Sequence, residues 1–239
     1  MAAPTPGHQQ VANQDKIWAY YQTTAPGIFS AASPRLNYIL HRARRRATAA
    51  RPSLLNIGAG DGYLERRAQA LGWQVYSLDP DETAVERLAA TGIDARVGYI
   101  EKMPFADGQF EVVITSEVLE HLSAQHARDG VADIARVLKP GGWFLGTVPY
   151  REDLSPNMVV CPDCGKLFHR WGHQQSFDAD ALRALFPPGL ELQLARPKLF
   201  VPFQVLNWKG KLGACAKSVL FLLGIHGSNE NWYFEARKR

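Results

Sequence analysis

The stretch SLLNIGAGDG at residues 53–62 holds the densest chemistry in the chain. An apolar run breaks into Gly58, Gly60 and Gly62 at alternate positions and then into a helical pattern. Glycines there let the chain turn tightly and bring bare backbone against a ligand. The first N–H groups of the following helix face the same ligand. Asp79 closes the next apolar run, 19 residues beyond Gly60. That is near the spacing at which a carboxylate accepts hydrogen bonds from a ribose diol. Together these residues read as an adenosine-binding site.

A second concentration is CPDCGKLFHRWGH at 161–173. Cys161, Cys164, His169 and His173 form C-x2-C-x4-H-x3-H, two thiolates and two imidazoles of the kind Zn²⁺ takes in closed tetrahedral sites. Pro162 stiffens the turn and Gly165 lets it fold back, so that both sulfurs point one way. The spacing resembles a zinc knuckle with His in place of the last Cys, and it predicts a structural ion. A redox CxxC, or a loop whose histidines touch a substrate without metal, are the alternatives. Cys215 sits in an apolar helical pattern and reads as a core residue.

Regular alternation positions these groups. Strands at 53–57, 73–78, 93–97, 110–115 and 142–148 alternate with helices at 62–71, 82–90 and 125–138. That rhythm implies an α/β fold with a parallel sheet and right-handed crossovers. Two helices precede it, at about 11–23 and 34–48, and residues 1–10 are polar, Pro-rich and expected to be unstructured. The HRARRR run at 41–46 reads as a solvated helix face or as a phosphate-binding patch. An insertion at 151–176 then interrupts the rhythm. It resumes with helix 178–186, strand 190–195, an apolar helix at 211–224 and a last strand near 230–236.

At 239 residues and 46% hydrophobic content the chain buries one full α/β core. The net charge of +4 permits an anionic partner without demanding one. Three cysteines make no disulfide framework, and a reducing, cytoplasmic setting is expected. Segment 209–225 places lysines before an apolar helix. A buried packing helix is the simpler expectation there, and a helix that rests on a membrane or covers a lipophilic acceptor is the alternative.

The glycine turn reads GxGxG, one residue tighter than the GxGxxG of nicotinamide-binding proteins. In order, NIGAGDG, the acid in LDPD, EKMPFADGQFEVVIT, SEVLEHL and ARVLKPGGWFLGTVP resemble the class I S-adenosylmethionine-dependent methyltransferases. The group in question includes the ubiquinone and menaquinone methyltransferases, and the resemblance runs from about Leu54 to Pro149. It implies a Rossmann-like, mostly parallel seven-stranded sheet with helices on both faces and the last strand inserted antiparallel. S-adenosylmethionine is the implied cofactor. Residues 11–52 would be N-terminal helices, and 53–239 a methyltransferase domain carrying the Cys/His insertion after its fifth strand.

By the same resemblance Gly58, Gly60 and Gly62 would meet the methionine and ribose, and Asp79 the ribose hydroxyls. Ile100 and Glu101 would lie along the adenine, and Ser116 and Glu117 beside the methionine end and the transferring methyl. Asn56 stands where the family has an acid before the first glycine, and Tyr99 where it commonly has an Asp. His121 is the candidate general base, or else a helix-end histidine that holds backbone or cofactor. Enzymes that methylate the amino groups of bases carry an Asn/Asp-Pro-Pro-aromatic tetrad where this chain has Thr115-Ser116-Glu117-Val118, and no Pro-Cys nucleophile occurs. The expectation is therefore methylation at oxygen of a small-molecule, glycan-linked or lipid-linked acceptor. An RNA-binding protein that keeps the fold without turnover is the alternative.

Overall fold

Successive residues of a strand face opposite sides of its sheet, so an unbroken apolar strand needs cover on both. Strands β1 (Ser53–Ile57), β2 (Gln74–Asp79), β3 (Asp94–Val97), β4 (Phe110–Ser116) and β5 (Leu138–Pro149) run parallel. A separate hairpin of β6 (Met158–Val160) and β7 (Leu167–His169) follows. Then β8 (Leu190–Lys198) and β9 (Asn231–Lys238) complete a seven-stranded sheet in the order β3-β2-β1-β4-β5-β9-β8. Only β9 is reversed, antiparallel to both β5 and β8. The computed structural model describes residues 16–22, 24 and 26–239. The expectations of an unstructured 1–10 and of the first turn of helix 11–23 lie outside them.

Leu54, Val112, Leu145 and Tyr233 face one core, shared with helices α1 (Ser33–Arg46), α2 (Tyr63–Ala70) and α3 (Glu82–Ala89). Their neighbours Leu55, Val113, Phe144 and Phe234 face the other, under α4 (Ala124–Val137) and α5 (Ala179–Arg183). The last helix, α6 (Trp208–Leu222), buries none of its residues. Cys215 on it is exposed, contrary to the expectation of a core residue. A buried packing helix is the simpler expectation for this segment. The structure overturns it, because among the described residues none of the helix is buried.

The arginine run on α1 divides: His41, Arg44 and Arg45 are exposed, as expected of a solvated face, whereas Arg42 and Arg46 turn to the sheet. Arg42 and Arg46, one helical turn apart, each donate from Nε to the fully buried Glu235 of β9 at 2.7 Å. Tyr233 Oη donates to the same carboxylate at 2.8 Å. These two charges clamp α1 onto the sheet and are withdrawn from any nucleic-acid surface. The Lys139–Gly142 segment, expected to join helix to strand, lies within β5 itself, where the register against β4 shifts between Phe110 and Val112.

Candidate functional site

The strand order reverses between β1 and β4, so the loops after these two strands diverge and leave a crevice at their carboxyl ends. Its floor is the glycine turn. Gly58 and Gly60 hold left-handed backbone, with φ of 89° and 51°. A Cβ on Gly58 would stand 2.8 Å from Val118 Cγ2, and one on Gly60 3.3 Å from Phe29 Cδ1. Gly62 does something else. It is absent from the crevice wall, and a Cβ there would stand 2.5 Å from Leu88 Cδ2, so it lets α2 start hard against α3. Of the three glycines expected at the cofactor, Gly58 and Gly60 line the crevice.

Asp79, at the end of β2, accepts from the N–H of Ala59 at 2.7 Å and of Asp81 at 2.9 Å. It therefore braces the glycine turn besides facing the crevice. Burial raises its carboxyl to about 6, against the pull of those two N–H donors and of the Gln22 side chain. Ile100, Glu101 and Tyr99 line the same cavity of about 470 Å³. The helical segment 16–22 and the turn Pro26–Ala32 pass over it and add Trp18, Gln22 and Phe29. No motif marked these three, since isolated aromatics in an N-terminal helix have no spacing that signals a ligand.

A family model described as a methyltransferase domain matches residues 55–146. A probable S-adenosylmethionine-dependent methyltransferase of Mycolicibacterium smegmatis is 35% identical over 105 residues, 43% of this chain and 40% of that protein. The phthiotriol/phenolphthiotriol dimycocerosates methyltransferase of Mycobacterium tuberculosis is 27% identical over 70% of this chain and 64% of its own length. Among solved structures, the 1,6-didemethyltoxoflavin-N1-methyltransferase of Burkholderia thailandensis, with S-adenosylhomocysteine bound, superposes with a TM-score of 0.65. That likeness covers 100% of this chain and 92% of the other at 17% identity. The chain carries, over residues 55–146, a segment similar to the methyltransferase domain of S-adenosylmethionine-dependent methyltransferases. It spans less than two thirds of either curated relative.

Gly58, Gly60 and the buried Asp79 together line the floor of the crevice. The Asn56 departure has a structural counterpart. Asn56 Nδ2 donates to Gly58 O at 3.0 Å and to Glu65 Oε1 at 2.7 Å, and Ser77 Oγ donates to that same oxygen at 2.7 Å. The acid missing from the strand end is thus present on α2, beneath the turn. Burial raises the Glu65 carboxyl to about 7.

At the other end of the cleft, Arg35 Nε donates to Ser116 Oγ at 2.9 Å and its guanidinium lies 4.0 Å from Glu117 Oε2. Glu117 has a φ of 58°, a strained backbone for a residue with a side chain. Its Oε2 accepts from Asn231 Nδ2 at 2.9 Å, while Oε1 is buried without a partner. Glu120 is fully buried and neither oxygen has a partner. Desolvation, and then the nearby Glu117 charge, hold its carboxyl well above the usual range. His121 shifts the opposite way. Burial and the neighbouring His173 push its imidazole down to about 3, so it stays neutral and is a poor unaided base. The general-base expectation for His121 is corrected on that ground.

The four-ligand Cys/His set does not assemble. The hairpin pairs Met158 with His169 at its base, and Cys161 and Cys164 occupy the turn at its tip. Extended backbone separates successive residues by about 3.3 Å, so the strand carries the thiols away from His169. The turn itself forms as expected, with Cys161 N–H bonded to Lys166 O and Gly165 N–H to Cys161 O, both at 2.9 Å. Among the described residues, neither cysteine joins a group of three close ligand atoms. His169 and His173 stack instead on each other, ring centres 4.6 Å apart, beside Glu152 and His121.

A second cavity, about 920 Å³, opens beyond the cleft. Arg35, Glu117, Trp171 and His173 belong to both walls. Its far side is made by Gly210, Ala214 and Lys217 of α6. The insertion and α6 therefore enclose the space next to the methionine end.

Proposed function

We propose that this protein transfers the methyl group of S-adenosylmethionine to a hydroxyl oxygen of a lipid-linked acceptor taken at a membrane surface. The observation that carries the reading is α6. It walls the second cavity, yet Trp208 is 70%, Leu212 67% and Leu222 82% exposed. Between residues 192 and 229 there is no acid, and Lys209, Lys211 and Lys217 lie on the helix. Exposed apolar side chains with lysines suit the headgroup layer of an anionic membrane. No helix among the described residues is long and apolar enough to cross one.

S-adenosylmethionine supplies an electrophilic methyl on a sulfonium. One O–C bond forms, one S–C bond breaks, and the hydroxyl proton must leave. The residues at the junction suit a hydroxyl: Glu117 Oε1, both Glu120 oxygens and His121 Nδ1 are buried polar atoms without hydrogen-bond partners. Glu117 is the best proton acceptor among them, since it faces both cavities and is oriented by Asn231. Cover from the helical segment 16–22 and the turn Pro26–Ala32 would keep water from the sulfonium. The relative that acts on phthiotriol dimycocerosates, by its name a lipid, supports the acceptor class.

The test is transfer of labelled methyl from S-adenosylmethionine into fractionated lipid, glycan, RNA and small-molecule extracts, with parallel flotation on phosphatidylglycerol vesicles. Label should enter the lipid fraction as a methyl ether, and Leu212→Glu with Leu222→Glu should abolish flotation while leaving S-adenosylhomocysteine binding intact. Label confined to RNA or to water-soluble products, or flotation indifferent to the two substitutions, would refute the proposal.

A further inference from the structure

The turn after β4 and the loop after β7 are stapled together. Gln174 N–H donates to Glu120 O at 2.8 Å, and Gln174 Nε2 donates to His121 O at 2.6 Å. Gln175 Nε2 donates to Leu119 O and Leu122 O, both at 3.0 Å. These four bonds fix Glu120 and His121 against His173, although 52 residues separate the two histidines in the chain. Each of the three offers a ligand atom within 4.8 Å of the others. We propose that Glu120, His121 and His173 hold a divalent transition-metal ion at the acceptor end of the cofactor cleft, with Glu152 as the outer partner that orients His173.

The unmet bonding of this cluster is one-sided. Glu120 is fully buried with two unpartnered oxygens, and His121 Nδ1 is buried and unpartnered beside them. A buried carboxylate with nothing to bond costs several kcal/mol. The nearest charges offset this only in part: Glu117 and Glu152 repel the carboxylate, while Arg35 attracts it but already serves Ser116 and Glu117. A cation is what such a group of acceptors lacks.

The tautomers are also set for it. Glu152 Oε2 lies 2.5 Å from His173 Nδ1, so the proton sits between them and the Nε2 lone pair is left for a ligand. This is the carboxylate–histidine arrangement that orients metal-bound imidazoles. His169 has a different part. Its Nδ1 accepts the backbone N–H of His173 at 3.2 Å and its ring stacks on His173 at 4.6 Å, so it braces that ligand, while its Nε2, 3.7 Å from Glu152 Oε1, belongs to an adjoining group with Glu152 and His173.

Two imidazoles and a carboxylate without thiolate suit Zn²⁺, Mn²⁺, Fe²⁺ or Co²⁺ in a site with a vacant position. Ligand atoms now up to 4.8 Å apart would close to about 3.3 Å around tetrahedral bonds of ~2.1 Å, a movement the unbonded Glu120 carboxylate is free to make. All three residues line the cofactor cleft, and His173 also lines the second cavity. On the methyltransferase reading, on which this role rests, the vacant position meets the acceptor hydroxyl. A metal-bound hydroxyl loses its proton more readily to Glu117.

The test uses full-length protein prepared without a metal-affinity tag and stripped with chelator. Zinc is titrated by calorimetry and cobalt by its visible spectrum, with S-adenosylhomocysteine binding as the control for folding. One equivalent should bind, and the cobalt form should lack a thiolate charge-transfer band. Cys161→Ser with Cys164→Ser should bind as the wild type does. His173→Ala and Glu120→Gln should weaken binding at least 100-fold, and Glu152→Gln about 10- to 100-fold. No stoichiometric uptake by the wild type would overturn the proposal. So would uptake that survives His173→Ala but vanishes with the cysteine pair, which would return the metal to the thiolates. Metal binding by a protein that fails to bind S-adenosylhomocysteine would leave the site standing and refute the methyltransferase role given to it.

Discussion

Replacing Asp79 with Asn separates cofactor recognition from stability, because the structure gives this carboxylate both duties. Its folded value is raised from 3.8 to about 6, chiefly by burial. A raised carboxyl stabilises the fold fully below 3.8, and that contribution is lost as pH rises through about 6. At 1.36 kcal/mol per unit, the ionised form costs the free protein roughly 3 kcal/mol above that pH. Asn carries no charge but offers one oxygen to the two N–H groups of Ala59 and Asp81, a loss of about 1 kcal/mol. The variant should thus be more stable than wild type by roughly 1–2 kcal/mol at pH 8, measured by urea denaturation. Cofactor affinity should move the other way. Losing a charge-assisted bond to the ribose diol costs roughly 1.5–3 kcal/mol, or about 10- to 150-fold in Kd. Wild-type affinity should also fall about tenfold from pH 7 to pH 5 as Asp79 takes up its proton, and the Asn variant should not. Calorimetric titration with S-adenosylhomocysteine at both pH values decides it. A wild-type affinity that is flat across this range, or an Asn variant that binds as tightly at pH 8, would refute the reasoning.

Glu235→Gln should destabilise the fold by about 3 kcal/mol, since it strands Arg42 and Arg46 against a buried amide. Both arginines reach solvent, which places the cost at the low end, and a loss under about 0.5 kcal/mol in chemical denaturation would show that α1 docks by its apolar face alone. Gly62→Ala meets Leu88 Cδ2 at 2.5 Å and a φ of 77°, so it should cost about 2–4 kcal/mol. In a double-mutant cycle, Leu88→Ala should recover about 1–3 kcal/mol of that loss; strict additivity would mean that backbone strain alone is responsible.

Much of the sheet was legible because its signals are local. Strand burial on two faces leaves runs such as FEVVIT, and the helices between them repeat with their own period, so element type and order follow from nearest neighbours in the chain. The ends were less clear where tertiary pairing overrode punctuation. The Lys139–Gly142 segment is carried within β5 as an irregularity between the pairs Leu138–Phe110 and Trp143–Val112, although Pro140 and two glycines mark it as a turn. The short hairpin β6–β7 left no periodic trace at three residues a strand.

The sequence by itself determined the glycine turn and the acid that braces it. The left-handed glycines of the turn and the acid at the end of the next strand are demanded by backbone geometry that travels with the motif. What the tertiary structure decided is everything that depends on which distant surfaces meet. Gly62, Arg42 and Arg46 turned out to serve packing, because Leu88 and Glu235 lie against them. Trp18 and Gln22 became part of the cleft because the N-terminal helix crosses it. The Cys/His spacing looked like one site, yet extended strand geometry divided it, and His173 joined Glu120 and His121 instead. Spacing in a chain fixes distance only while the backbone between two residues is known, and across a fold that backbone is set by what it packs against.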